Sequence, residues 1–484
     1  MKTLALCVVL LIVCFTPQVL AQPSVTWVNA YYTDWDYQRM PPSAIDFRGL
    51  TNIIFINLDP IGSPPYFQFH WPGQQVFEAT AADLIARAHA NGVKVLLGLG
   101  GVWCSGDCGG NAFLNHANDP VWVHNYVTAV LNYARSKGYD GVSLDWEGSV
   151  FREGWIRLTD SLRAGLNRWN PRGKFSAAIA GMIQMGWNNP YDIAALNRNI
   201  DYIESMTFDL NGYWSGASGF NSPLYDPTPN WPGYRGDNVH QSSLNWIARG
   251  VEPAKFATGI PFYGFKWWGI TAPGQTGWSN SYFTRYHFVL REDLGKGVLR
   301  RDTQSKTPWI SKVNGQLGSN ETAYIDYHDS QAVTEKVNYA LQQGHGGIMV
   351  FDLNSGYLDP QNYPNVSDRN PLQTAMRVAL GSTSLQPPDI LPRGFVLEQN
   401  FPNPFNPTTT IRYALAEDAV VTLKVYNMIG QEVVTLLNEP KQAGTYEVTF
   451  EARNNRGDAL TSGVYFYEMK AGGYSETKKM VLLQ

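Results

Sequence analysis

The chain has 484 residues, 44% of them hydrophobic and 16% charged, with a formal net charge of -4 at pH 7. That length leaves room for two or three domains, one of them large, with ample apolar material for packed cores. The near-neutral balance gives no reason to expect nucleic acid as a partner, because phosphate binding needs clustered positive charge.

Met1 to Ala21 reads as a secretory signal. Lys2 supplies the positive start, Leu4 to Phe15 the apolar run and Val19-Leu20-Ala21 the small-residue cleavage site. The run is short for a membrane span and nothing later is longer, so no membrane span is expected. Cys7 and Cys14 would leave with the signal. Cys104 and Cys108 remain in a Gly-rich loop and are a disulfide candidate in an exported chain. A metal site is the weaker reading of that pair, since no second Cys or His cluster accompanies it. The eight His show no metal-ligand spacing, and neither metal nor cofactor is expected.

Short apolar runs then alternate with amphipathic stretches. Strands are predicted at 25–32, 52–58, 93–99, 141–147, 175–181, 202–209, 256–263 and 347–353. Most are near-continuous apolar runs, the pattern of parallel strands covered on both faces. Helices are predicted between them, for example at 82–90, 121–136, 154–169, 242–249 and 330–343. Eight such pairs indicate an α/β chain folded as a (β/α)8 TIM barrel over 22–380, with a doubly wound open sheet as the rival. Residues from about 265 to 323 are too many for a loop and are expected to fold as a small insertion on the barrel rim. Residues 381–393, rich in Ser and Pro, read as a linker. From 394 to 484, period-two alternation in Val421–Tyr426, Tyr446–Phe450 and Val464–Tyr467 indicates a small Ig-like antiparallel β-sandwich.

The most informative stretch is Tyr139-Asp140-Gly141-Val142-Ser143-Leu144-Asp145-Trp146-Glu147. Alternation along a strand puts Asp145 and Glu147 on one face, with Cα atoms roughly 7 Å apart. Two carboxyls so placed can share a proton, leaving one protonated near neutrality as a general acid. A glycosidase normally sets its acid and nucleophile on opposite sides of the sugar, which one strand face does not readily do. The attacking group would then come from a substrate's own 2-acetamido substituent. A rim salt bridge is the structural alternative, but the local sequence offers no basic neighbour.

Asp140–Glu147, DGVSLDWE, closely resembles the active-site signature Asp-Gly-x-Asp-x-Asp-x-Glu of the family 18 glycoside hydrolases, the chitinase family. Further segments resemble that family in the expected order: Lys94–Gly101 with Gly98 in place of Ser, Met206–Asp209, Gly259–Gly264, Tyr324–Asp329 and Gly346–Asp352. The resemblance implies that Glu147 is the acid and later the base. Asp145 would orient the acetamido group, and Asp209 would contact it and tune Glu147. Tyr31 or Tyr32, Gly100, Trp103, Met206, Phe208, Tyr263 and Phe351 would line the sugar subsite. Four further positions depart from the family pattern. Ser143 replaces an Asp, Phe208 a Tyr and Phe351 a Trp, while Phe265 stands where the family carries Arg. Trp35, Trp103, Trp187, Trp214, Trp267 and Trp268 fall just past strand ends, where each is either a sugar platform or a packing residue. Trp146, between the two acids, is expected to face the helices.

The terminal region resembles the C-terminal sorting domains of the type IX secretion system in Bacteroidetes-like bacteria, through Asn400–Thr408, Gly463–Tyr467 and Lys478-Lys479-Met480. A carbohydrate-binding module is the rival, but all 16 Trp lie before residue 310, leaving few flat rings for sugar. The resemblances together imply a secreted or surface-attached hydrolase of chitin or chito-oligosaccharides, with bacterial secretion machinery as a partner of its tail. An endo-β-N-acetylglucosaminidase of N-glycans, or a non-catalytic chitin-binding lectin on the same barrel, are the alternatives.

Overall fold

The computed structural model describes residues 25–69, 73–101, 106–181, 191–228, 236–381, 395–397, 399–400, 402–415, 419–441 and 444–483. The predicted signal, Trp103, Cys104, Trp187 and all but the first residue of the predicted linker lie outside them. The chain divides into two compact units, 1–385 and 386–484.

The first unit is a closed barrel of eight parallel strands. These are β1 (Trp27–Thr33), β2 (Asn52–Pro60), β3 (Lys94–Gly100), β4 (Gly141–Asp145), β5 (Lys174–Ala180), β6 (Tyr202–Met206), β7 (Phe256–Pro261) and β8 (Gly347–Phe351). Each pairs with its sequence neighbour, and β1 also pairs with β8, so the sheet has no parallel edge left open. All eight predicted strands are present, and the open-sheet rival is excluded by the β1–β8 closure.

Apolar runs make the strands because both faces are covered. Outward residues such as Val28, Phe55, Leu97, Val142, Ile203 and Val350 are fully or almost fully buried in the core shared with the helices. The helices are Gln74–Ala90, Pro120–Lys137, Arg152–Leu166, Val239–Ala248 and Ser330–Gln343, with shorter ones at Gly110–His116, Ile193–Asn199 and Pro371–Ala379. Trp146 is 1% exposed and packs among Phe113, Phe151 and Trp155, on the helical side as expected. Such aromatic contacts are worth about 0.5–1.5 kcal/mol each beyond area burial.

Inward residues form a second cluster that includes Trp27, Tyr31, Ile54, Leu96 and Met349. Midway up the barrel this interior turns polar. Asn29, Asn52, Ser143, Ser176 and Glu204 are all essentially inaccessible to solvent.

The rim insertion is a five-stranded antiparallel sheet. Its strands lie in the order Asn280–Arg285, Tyr263–Trp268, Ala323–Asp326, Thr307–Lys312 and Val298–Asp302. It begins two residues earlier and ends three later than the sequence suggests, because its first and last strands continue the apolar runs that read as barrel. Lys266 and Lys312 both reach the buried Asp293 at 2.8 Å, so these charges are paired rather than stranded in the sheet.

The second unit is all antiparallel. A three-stranded sheet (Val396–Leu397, Thr408–Leu415, Gly444–Glu451) and a four-stranded sheet (Glu432–Lys441, Ala419–Tyr426, Gly463–Ala471, Tyr474–Leu482) enclose a core that includes Ile411, Leu423, Phe450, Tyr467 and Met480. Alternate burial along Ala419–Tyr426 matches the period-two reading. No helix among the described residues is long and apolar enough to cross a membrane.

Candidate active site

Three acids meet at the carboxyl ends of the strands, where this fold places its reactive groups. Asp145 ends β4, Glu147 follows two residues later, and Asp209 lies three residues beyond β6. Each keeps partial access to solvent, as the floor of a cleft must.

Asp145 and Glu147 share a hydrogen bond between their side chains. Burial, then the charges of Asp145 and Asp209, and then that bond hold the Glu147 carboxyl well above the usual carboxylate range. Burial and the nearby Glu204 also raise Asp145, while its bond to Glu147 works the other way. The proton therefore rests on Glu147, with Asp145 as acceptor. Asp145 Oδ1 is buried and has no hydrogen-bond partner among the described residues. An acceptor so placed is suited to a donor brought by a ligand.

Asp209 is pushed up to about 6 by burial, partly offset by the Tyr263 hydroxyl, which donates to its Oδ1 at 2.7 Å. Its backbone is left-handed, with φ 55°, a conformation that Asp tolerates better than most residues. Its N–H donates to Asn221 Oδ1 at 2.7 Å, which fixes the turn. Among the described residues no Lys, Arg or His forms an ion pair with any of the three acids, so the salt-bridge reading of Asp145 and Glu147 fails. No group of three or more His, Cys, Asp or Glu among those residues is placed to hold a metal ion.

Rings wall the site. Phe351 lies 5.4 Å from Tyr31, 5.6 Å from Phe208 and 6.1 Å from Tyr263, centroid to centroid. Tyr31 faces the interior, but Tyr32 does not. Alternation turns Tyr32 outward, where it stacks on Phe55 and donates its hydroxyl to the Met40 carbonyl at 2.6 Å, so it is a packing residue. Met206 belongs to the interior cluster beneath these rings. Phe265 is buried edge-on to Trp214. Of the tryptophans past strand ends, Trp35 and Trp214 are exposed, whereas Trp267 is fully buried against Trp278 in the inserted sheet. Trp268 is half-buried and donates to Glu321 at 2.6 Å.

Gly100 does not line the subsite with a side chain; it holds the neighbouring strand in place. It pairs with Asp145, and its φ is 106°. A Cβ there would stand 2.2 Å from the Asp145 carbonyl oxygen. The Gly101 N–H donates to that same oxygen at 2.8 Å, and the Gly110 N–H donates to the Gly101 carbonyl at 3.0 Å. A Cβ on Gly110 would in turn stand 2.1 Å from the Glu147 carbonyl oxygen. Cys108, next to this contact, is disulfide-bonded.

One residue here was not among those the sequence singled out. Glu204, in the middle of β6, accepts from Asn29 Nδ2 at 2.6 Å and from the Tyr31 hydroxyl at 2.9 Å. Its signal was available, since a lone acid in an otherwise apolar buried strand must be paired or hydrogen-bonded.

Residues 28–356 match the pattern of Glycosyl hydrolases family 18, and residues 399–483 that of a Secretion system C-terminal sorting domain. The chain is 28% identical over 302 residues to a probable endochitinase of Caenorhabditis elegans, covering 57% of this chain but only 47% of that protein. It is 28% identical over 286 residues to a class V chitinase of Arabidopsis thaliana, covering 54% of this chain and 71% of that one. Catalytic domain 2 of the Group II chitinase of Ostrinia furnacalis superposes with a TM-score of 0.64 at 22% identity, covering 76% of this chain and 99% of that structure. Human YKL-39, described as a pseudo-chitinase with retained chitooligosaccharide binding, superposes with a TM-score of 0.63 at 20% identity, covering 74% and 100%. At these identities the two structures share the fold.

Proposed function

This chain belongs to Glycosyl hydrolases family 18, and from that premise we propose that it is an exported enzyme that hydrolyses β-1,4-linked N-acetylglucosamine polymers with retention of configuration. The observation that carries this is the hydrogen-bonded pair of Asp145 and Glu147 at the strand ends, both carboxyls raised by burial and neither in an ion pair among the described residues. Glu147, held protonated, donates to the leaving glycosidic oxygen. The substrate's acetamido oxygen attacks the anomeric carbon from the opposite face. Asp145 Oδ1, without a partner among the described residues, accepts the acetamido N–H and stabilises the positive oxazolinium that forms. Water then opens that ring with Glu147 as base. Asp209 and the Tyr263 hydroxyl that holds it complete the acetamido pocket. Phe351 supplies a ring for the sugar face, and the exposed Tyr213 and Trp214 offer a second platform on the loop after β6. No cofactor enters the reaction. The C-terminal sorting domain marks the chain for export.

A second reading is binding without turnover. Ser143 favours it, because a carboxyl of the family signature is missing there, and Phe208 favours it by lacking a hydroxyl. The intact Glu147–Asp145 pair favours hydrolysis. The test is product analysis by NMR on chitohexaose and on an N-glycoprotein, with Glu147→Gln as control. β-Anomeric products from chitohexaose, absent in the control, are expected. Release of glycan alone would assign the chain to N-glycan cleavage. Binding with no product above the control would assign it to the lectin class.

A further inference from the structure

The reaction above leaves unused a carboxyl buried inside the barrel. Glu204 is wholly inaccessible to solvent, inside the barrel beneath the acids. Each of its oxygens has its own donor, Asn29 Nδ2 on Oε1 and the Tyr31 hydroxyl on Oε2. Asn29 is itself oriented by Asn52 Nδ2, which donates to its Oδ1 at 2.6 Å. These donors, with weaker help from the Ser176 and Ser143 hydroxyls, favour the ionised form and oppose the effect of burial.

The same Tyr31 hydroxyl lies 3.5 Å from Ser143 Oγ. Ser143 sits one pleat below Asp145 on the inward face of β4. Between β4 and β6, strand β5 sets only Ser176 beside Ser143 and Ala178 beside Glu204. Small residues there leave the interior open to a long acidic side chain from β6. The family signature carries an aspartate at position 143, and this chain has a hydroxyl in its place.

We propose that Glu204 is a positioning residue for this reaction, a carboxylate supplied from β6 that stands in for the missing aspartate at 143 and acts on Asp145 across the Tyr31 and Ser143 hydroxyls. The proposal rests on the reading of Asp145 and Glu147 as the reacting pair. The titratable groups facing Glu204 are Tyr31 from β1, Asp145 from β4 and Tyr202 on its own strand. The inward residues Ala257 of β7 and Met349 of β8 carry no charge. Burial, tempered by its donors, pushes Glu204 up to about 7, so its negative charge develops as pH rises through neutrality. Its charge then strengthens the hold of Asp145 on the shared proton and delays the loss of the acid form of Glu147 as pH rises.

The experiment is a charge-relocation cycle on the full chain: Glu204→Gln, Ser143→Asp, and the double variant. Glu204→Gln is expected to move the alkaline limb of kcat/KM on chitohexaose down by about one pH unit, the scale of one neighbouring carboxylate. The double variant, with its carboxylate back on β4, is expected to regain that limb. A carboxyl 13C NMR titration of Asp145 and Glu147 is expected to shift likewise, and it needs no turnover. If Glu204→Gln fails to fold, the double variant compared with the parent chain decides the matter, the expected result being matching alkaline limbs, whereas a double-variant limb above the parent's overturns the proposal. A folded Glu204→Gln with an unmoved limb and unmoved titration overturns the proposal, as does a folded double variant that recovers nothing. An inactive parent chain overturns the proposed function instead, and the titration still decides whether Glu204 governs the pair.

Discussion

Replacing Asp145 with Asn keeps the shape of the side chain and removes its charge. In the proposed reaction that charge faces the oxazolinium cation, at the distance of a hydrogen-bonded pair. Opposite charges about 4 Å apart at an effective dielectric of about 20 attract by about 4 kcal/mol. At about 1.4 kcal/mol per tenfold, Asp145→Asn should lower kcat by about 10³. KM should change little, because the neutral ground-state sugar feels the charge weakly. A second signature follows from Glu147, whose proton affinity is raised first by burial and next by Asp145. Without that anion the alkaline limb of the pH profile should fall to lower pH. Both quantities come from initial rates on chitohexaose between pH 4 and 9, with products separated chromatographically. A kcat within about threefold of the parent would remove Asp145 from the chemistry, since no arrangement of a stabilising carboxylate survives so small a loss. A limb displaced upward would contradict the electrostatic argument itself.

Tyr263→Phe deletes the hydroxyl that lowers Asp209, so the Asp209 carboxyl should hold its proton to higher pH and kcat/KM should fall about tenfold, the worth of one hydrogen bond to a charged group. A profile identical to the parent's would contradict this. Gly100→Ala forces a Cβ against the Asp145 carbonyl at a positive φ, and should cost about 1–3 kcal/mol in backbone strain as well as activity. Thermal unfolding checks it, and an unchanged Tm would show that the strand ends yield freely. Glu204 and Asp326 both stand near 7 in the folded chain, above their ordinary values, because of burial. Their folded forms therefore bind more protons than the unfolded chain between about pH 4 and 7, and stability should fall as pH rises through that window. Glu204 alone contributes about 3 kcal/mol to this slope. Every Trp lies in the first unit, so Trp fluorescence reports its unfolding, and a midpoint that rises from pH 5 to 7.5 would reverse the sign.

Barrel strands were legible in the sequence because burial on both faces leaves a continuous apolar run, as in Lys94–Gly100 and Gly347–Phe351. Their ends were less so. The run at 202–209 continues past β6, which stops at Met206, because the left-handed turn at Asp209 is set by Asn221, far along the chain. The inserted sheet was read only as an insertion, since Tyr263–Trp268 and Ala323–Asp326 share the composition of barrel strands. Asp145 and Glu147 were legible as a pair from two-residue spacing alone. Tyr31 and Tyr32 could not be separated without the inward register of Asn29, a polar residue whose partner lies on β6. Glu204 escaped notice for the converse reason. Its meaning depends on Tyr31 and Ser143, which are distant in sequence and meet only when the barrel closes.

The contacts at Gly100, Gly101 and Gly110 bear on any attempt to re-tailor substrate preference. Gly100, Gly101 and Gly110 form the scaffold behind the acid pair, joined to it main chain to main chain. Grafting a foreign loop between residues 101 and 110 would thus disturb proton delivery together with recognition. Libraries seeking new specificity without loss of rate belong on the exposed rings of Tyr213 and Trp214, with Asn221 and its bond to the Asp209 N–H left in place.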